Sequence, residues 1–197
     1  MIGFNLTGYL IYALVTCITP GPNNFMLFTH GKDHGFKEVK MLMLGMFMGF
    51  VVLLYAGGYG ISQLITHNPN LAFALKLLSS AWLFYLGLVL SKLSPTINHQ
   101  PTSKIGFSNA FLMQFINPKA WIMTIGGAAA FLPHYSNIHL NVFIFTMIFA
   151  AVGVPCMFVW VGFGDLISRM LTSDKANRIL GYCLFGLMMV SIVTVWL

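Results

Sequence analysis

The chain has 197 residues, of which 58% are hydrophobic and 7% charged, with a net charge of +6. A soluble domain carries roughly 25% charged residues, so this composition excludes a water-facing fold and leaves no room for a soluble domain beside a membrane one. The positive charge does not point to nucleic acid: the basic residues form no patch with interleaved aromatics but recur in short clusters between apolar runs, as cytoplasmic loops do.

A membrane span needs about 20 apolar residues. The N-terminal run, Met1 to Cys17, has no basic n-region and no small-residue cleavage site, so it reads as a first span and not a removed leader. Span one runs from Phe4 to Thr29 and is interrupted by Thr19-Pro20-Gly21-Pro22-Asn23-Asn24. A polar loop, His30 to Lys40, leads to the uncharged second span, Met41 to Ile65. A turn at Thr66 to Asn70 precedes span three, Leu71 to Ser91, and a loop from Lys92 to Lys104 carries Pro95 and Pro101. Span four, Ile105 to Leu132, is interrupted at Asn117-Pro118-Lys119, and a turn follows from Pro133 to His139. Span five, Leu140 to Gly164, contains Pro155; a charged loop from Asp165 to Arg178 leads to span six, Ile179 to Leu197. The loops after spans one, three and five hold eight of the ten Lys and Arg residues. By the positive-inside rule they are cytoplasmic, which puts both termini in the periplasm. The expectation is an all-α polytopic protein with one transmembrane domain, 1–197.

Pro20 and Pro118 lie 98 residues apart, and the same offset sets Gly57 of span two on Pro155 of span five. Three spans per half is an odd number, so two such halves insert with opposite orientation. This predicts inverted repeats with broken helices one and four: repeat one about 1–91, a linker 92–104, and repeat two about 105–197. Transporters of that plan place the substrate near the midplane, where the broken helices meet. Coincidence is the weaker alternative, since proline is tolerated in membrane helices.

Pro20-Gly21-Pro22 removes two backbone donors. The carbonyls near Thr16 to Ile18 lose their partners, so the break must face protein or a wet cavity. Asn23 and Asn24 add amides, and the half-helix that starts there offers N–H groups to an anion. Span four contributes Gln114, Asn117 and Lys119 around Pro118. Lys119 sits near half-depth, where snorkelling is a long reach, so it is a functional candidate; Lys76, near a span end, snorkels. The substrate-binding candidates are therefore Pro20, Gly21, Pro22, Asn23, Asn24, Gln114, Asn117, Pro118 and Lys119. They suit a zwitterion, with its carboxylate on Lys119 and the N–H groups and its ammonium on carbonyl and amide oxygens.

The remaining chemistry is sparse. All six histidines fall in loops or at span ends; His30 and His34 have a metal-compatible i, i+4 spacing but read as solvated loop residues. Cys17, Cys156 and Cys183 lie in apolar context and read as small buried hydrophobes, with no disulfide framework. No cofactor or metal is expected. Asp33, Glu38, Asp165 and Asp174 all lie in loops or at span ends, and Asp165 is the best-placed carboxylate for proton coupling. Lys119 or the substrate could carry the proton instead.

The run Thr19 to Asn24, the His34-Gly35-Phe36 after it, the uncharged second span near Gly45, and Gln114 to Ala120 resemble the lysine exporter/homoserine–threonine resistance family of amino-acid efflux proteins. The resemblance covers the whole chain and lies nearest the cysteine/O-acetylserine exporter branch. It implies proton-driven export of amino acids or derivatives across the bacterial inner membrane. Pro20, Gly21, Pro22 and Asn23 match its first motif, and Asn117, Pro118 and Lys119 its second. Spacing alone gives an inverted-repeat transporter, leaving the substrate and homo-oligomerisation open.

Three rivals fit less well. A membrane thiol–disulfide carrier needs a second cysteine near Cys17, but the matching position is Phe115 and span four has none. A divalent-metal exporter needs oxygen ligands, and no span interior holds an acid. A membrane enzyme needs a nucleophile–base or metal constellation that the spans do not contain.

Overall fold

The computed structural model describes residues 5–61, 67–91, 104–132, 137–170 and 173–196. Among them every regular element is helical: α1 (Leu6–Ile18), α2 (Pro22–His34), α3 (Lys40–Ala56), a π-helical turn (Gly57–Ile61), α4 (Pro69–Ser91), α5 (Phe107–Ile116), α6 (Pro118–Phe131), α7 (Ile138–Met170) and α8 (Asp174–Trp196). Three stretches are long and apolar enough to cross a membrane, at 40–60, 138–170 and 175–193, while α1 and α5 are shorter apolar helices. Most of the expected loop from Lys92, with His99, and most of the turn from Pro133, with His134, lie outside the described residues.

The helix ends follow local chemistry. The Asn5 side chain accepts the Gly8 N–H at 2.9 Å and caps α1. Proline cannot continue α1, but Pro22 suits the first turn of α2, where a missing N–H costs nothing. Asn117 adopts extended backbone before Pro118, ending α5, and its side chain caps α6 by accepting the Lys119 N–H at 3.1 Å. The π turn closes α3 at Gly60, whose φ of 111° lies in the region that favours glycine.

Several expected boundaries move. The segment His30 to Lys40 is not a loop throughout: α2 continues to His34 and stops at Gly35 (φ 72°). His30 is consequently buried, its Nδ1 2.9 Å from the Met26 carbonyl oxygen, and not solvated. The segment from Asp165 is likewise helical: α7 runs unbroken through Pro155 to Met170, and α8 already begins at Asp174. Charge did not end α7 because Asp165 and Arg169, one turn apart, pair at 2.8 Å on its surface.

Lipid provides no hydrophobic drive between helices, so contact depends on close packing and polar ties. α2 packs on α7, α3 on α5, α4 on α8 and α1 on α7. Gly45 and Gly49, one turn apart on α3, meet the carbonyl oxygens of Phe107 and Phe111 where a Cβ would stand, so α3 and α5 touch backbone to backbone. Two buried clusters result. One gathers Leu27, Phe28, Leu42, Met46, Trp160 and Val161. The other gathers Tyr9, Leu54, Met123, Phe145 and Phe149, with Tyr9 stacked on Phe145 at 4.7 Å. The outer surface is apolar, with Leu112, Ile116 and Tyr182 largely exposed, as suits a lipid-facing side. Cys183 also lies on this surface and is not a buried residue as its apolar context suggested.

Candidate functional site

Every carbonyl stranded by the first break has a partner, and most partners are side chains from elsewhere. The Thr16 oxygen accepts from Thr19 Oγ1 at 3.1 Å and the Cys17 oxygen from Asn24 Nδ2 at 2.7 Å. The Ile18 oxygen accepts from Trp160 Nε1 on α7 at 3.1 Å. The Thr19 oxygen accepts from Asn24 Nδ2 at 2.8 Å and from Lys119 Nζ at 2.8 Å. The Pro20 oxygen accepts from Lys119 Nζ at 3.0 Å and from Ser191 Oγ on α8 at 3.1 Å. A buried polar group without a partner costs about 1–3 kcal/mol, so these bonds make the broken backbone tolerable in a membrane.

Lys119 completes its set on Thr19 Oγ1, at 2.9 Å. An ammonium has three donors, and all three therefore reach protein oxygens. The position of Gly21 explains how the lysine arrives: a Cβ there would lie 2.7 Å from Lys119 Cδ. Glycine leaves the groove through which the lysine stem crosses the break. The second break joins the first through a carboxamide triangle. Asn23 Nδ2 donates to Gln114 Oε1 at 2.6 Å, while Gln114 Nε2 and Asn117 Nδ2 donate to Asn23 Oδ1 at 3.2 and 3.0 Å.

The two half-helix starts differ in one respect. Asn117 caps α6, whereas no side chain caps α2. The first N–H groups of α2 have no intrahelical acceptor, and the residues of that first turn, Pro22, Asn23 and Asn24, line a cavity between α1, α2, α3, α6 and α7. Its volume is about 80 Å³, counted as room for water centres; one water needs about 10–15 Å³ on that count, so the space suits several waters or one small amino acid. Gly21, Pro22, Asn23, Asn24, Asn117 and Lys119 line it. Pro20, Gln114 and Pro118 are not on its wall. Asp165 is not on the wall either; it is paired with Arg169.

The apolar wall includes Leu54, Phe50 and Phe149, and with them Cys17 and Cys156 from different helices, which sequence analysis read only as small buried hydrophobes. Trp160 and Ser191 were also missed. Ser191 was visible only as a hydroxyl in an apolar span, and Trp160 carried no signal. Outside the helices, the Lys104 ammonium lies 2.8 Å from Glu38 and holds that carboxyl below the usual carboxylate range.

Comparison with known proteins gives a consistent picture. The profile of the family described as LysE type translocator matches residues 14–195. The chain is 28% identical to a cysteine/O-acetylserine efflux protein of Salmonella typhimurium, over 83% of this chain and 84% of that one. It is 26% identical to a protein of the same description from Escherichia coli O6:K15:H31, over 84% and 85% of the two chains. A third, from Klebsiella pneumoniae subsp. pneumoniae, is 22% identical over 84% of each. No solved structure matches.

Proposed function

Because the chain belongs to the family of LysE type translocators, we propose that it is a secondary transporter exporting small amino acids or their derivatives across the bacterial inner membrane, coupled to protons. The observation that carries this reading is the uncapped start of α2 opening on an amino-acid-sized cavity beside Lys119. The substrate carboxylate binds the N–H groups of Asn23 and Asn24, where the helix dipole favours an anion. Lys119 acts on it by charge across the break, since its donors are committed to Thr19 and Pro20. The substrate ammonium faces the side-chain oxygens of Asn24, Asn117 and Thr16, on the same wall. Leu54, Phe50, Phe149 and Ala150 supply an apolar wall for a short side chain. The names of the curated relatives support cysteine and O-acetylserine as the substrates to try first.

The architecture in this proposal is six spans in two inverted repeats. Two of the spans are the broken pairs α1–α2 and α5–α6. Exchanging the halves by the 98-residue offset turns the α3–α5 contact into α7–α1, turns α2–α7 into α6–α3, and maps α4–α8 on itself; all of these contacts are present. That exchange supports the repeat. Both termini are periplasmic in this scheme, so a reporter fused at Asn68 reads periplasmic; a cytoplasmic reading reverses the topology.

Asp165 is the coupling carboxylate, taking up a proton as it leaves Arg169. The experiment is efflux from proteoliposomes loaded with a panel of labelled amino acids, with and without an imposed pH gradient. Selective, gradient-driven efflux of small amino acids is expected, and Asp165→Asn should leave exchange intact while abolishing the response to the gradient. Efflux of none of the panel overturns the exporter reading, and an unchanged gradient response in Asp165→Asn removes Asp165 from coupling.

A further inference from the structure

The cavity wall has a second chemistry that amino-acid binding does not use. Five sulfur side chains line it: Cys17 of α1, Met46 of α3, Met123 of α6, and Cys156 and Met157 of α7. No Asp, Glu or His lines it with them. Absence of carboxylates argues against hard cations, which need oxygen ligands, but thiolate and thioether are the donors that select soft ions such as Cu(I). The two thiols also come from facing helices. Cys17 Sγ lies 3.6 Å from where a Cβ on Gly153 would stand, and Cys156 is three residues further along α7. One helical turn advances about 5.4 Å, so both thiols border the same stretch of the cavity.

We propose that this sulfur-lined wall is a binding site for a soft monovalent d10 cation, Cu(I) or Ag(I), held by Cys17 and Cys156 with thioether support from the methionines. Each thiol that ligates gives up its proton to solvent and forms a sulfur–metal bond, with no change of oxidation state. Two thiolates and one monovalent cation leave one net negative charge. The Lys119 ammonium on the same wall carries the opposite charge and offsets it. Affinity therefore falls as pH falls, because protons compete for the thiolates.

The test is binding of Ag(I) alone to the purified, detergent-solubilised full chain, with no amino acid present, so that it stands apart from the transport reading. Competition with a soluble thiol chelator gives affinity and stoichiometry. Cys183, on the lipid-facing surface, is the internal control. Cys183→Ser should bind one equivalent as tightly as the native chain. Adding Cys17→Ser and Cys156→Ser should weaken binding by about 100-fold or more, since hydroxyls are hard donors. Cys17→Ala with Cys156→Ala, matched for folding by thermal melting, repeats the comparison if the serine pair does not fold. Equal affinity with and without the cavity thiols, or loss of the tight site in Cys183→Ser alone, overturns the proposal.

Discussion

Replacing Lys119 by methionine separates a structural clasp from a functional charge. The variant loses three hydrogen bonds, to the Thr19 oxygen, Thr19 Oγ1 and the Pro20 oxygen. None of those atoms is left alone. The Thr19 oxygen keeps Asn24, the Pro20 oxygen keeps Ser191, and Thr19 Oγ1 still donates to Thr16. Bonds from a charged donor contribute about 1.5–3 kcal/mol each before desolvation is counted. Removing a buried cation returns a penalty of several kcal/mol, so the net change in stability should be small. Substrate binding has no such compensation. A carboxylate on the α2 start, taken at about 6 Å from the ammonium in an effective dielectric of about 20, loses about 3 kcal/mol. At about 1.4 kcal/mol per tenfold, that is roughly a 100-fold loss of affinity. Lys119→Arg should also fail, because a planar fork cannot converge on three oxygens gathered around one point. The assay is proteoliposome efflux beside thermal melting. Wild-type efflux by a normally folded Lys119→Met refutes the reasoning, as does full activity of Lys119→Arg with a damaged Lys119→Met, the pattern of a snorkelling lysine.

Two further substitutions probe the same break. Gly21→Ala places a methyl group 2.7 Å from Lys119 Cδ and should displace the lysine, lowering efflux by about tenfold or more by the same charge argument; wild-type efflux shows that the groove is not needed. Asn24→Leu removes both donors to the Cys17 and Thr19 oxygens and should cost about 1–3 kcal/mol, because the Cys17 oxygen is left unpaired; an unchanged melting temperature contradicts the carbonyl accounting.

The breaks were legible because their cause is local. A proline lacks its donor whatever surrounds it, so Pro20, Pro22 and Pro118 marked the ends of α1 and α5 correctly. What satisfied the stranded groups was not local. Lys119 meets Thr19 from 100 residues away, and Asn23 meets Gln114 from 91. Sequence analysis aimed Lys119 at a substrate carboxylate, and only packing shows that two carbonyl oxygens and one hydroxyl oxygen of the first break take its three donors. Helix ends near charged residues were read as loops at His30 and Asp165, although a charge at a helix end pairs along its own turn or faces water. The thiols failed for another reason. The repeat offset pointed from Cys17 to Phe115, in the matching helix, whereas the neighbour of α1 is α7, which supplies Cys156.

The tied-off carbonyls also make the first break a mechanical junction. Its five oxygens, from Thr16 to Pro20, are fastened by Asn24 of α2, Lys119 of α6, Trp160 of α7 and Ser191 of α8, with Thr19 closing the remaining one. A strand of backbone moored to four helices cannot drift by itself. If a bound solute pulls that short stretch by even an ångström, either the moorings part or α6, α7 and α8 are drawn along with it, and an event the size of one small molecule becomes a displacement of most of the bundle.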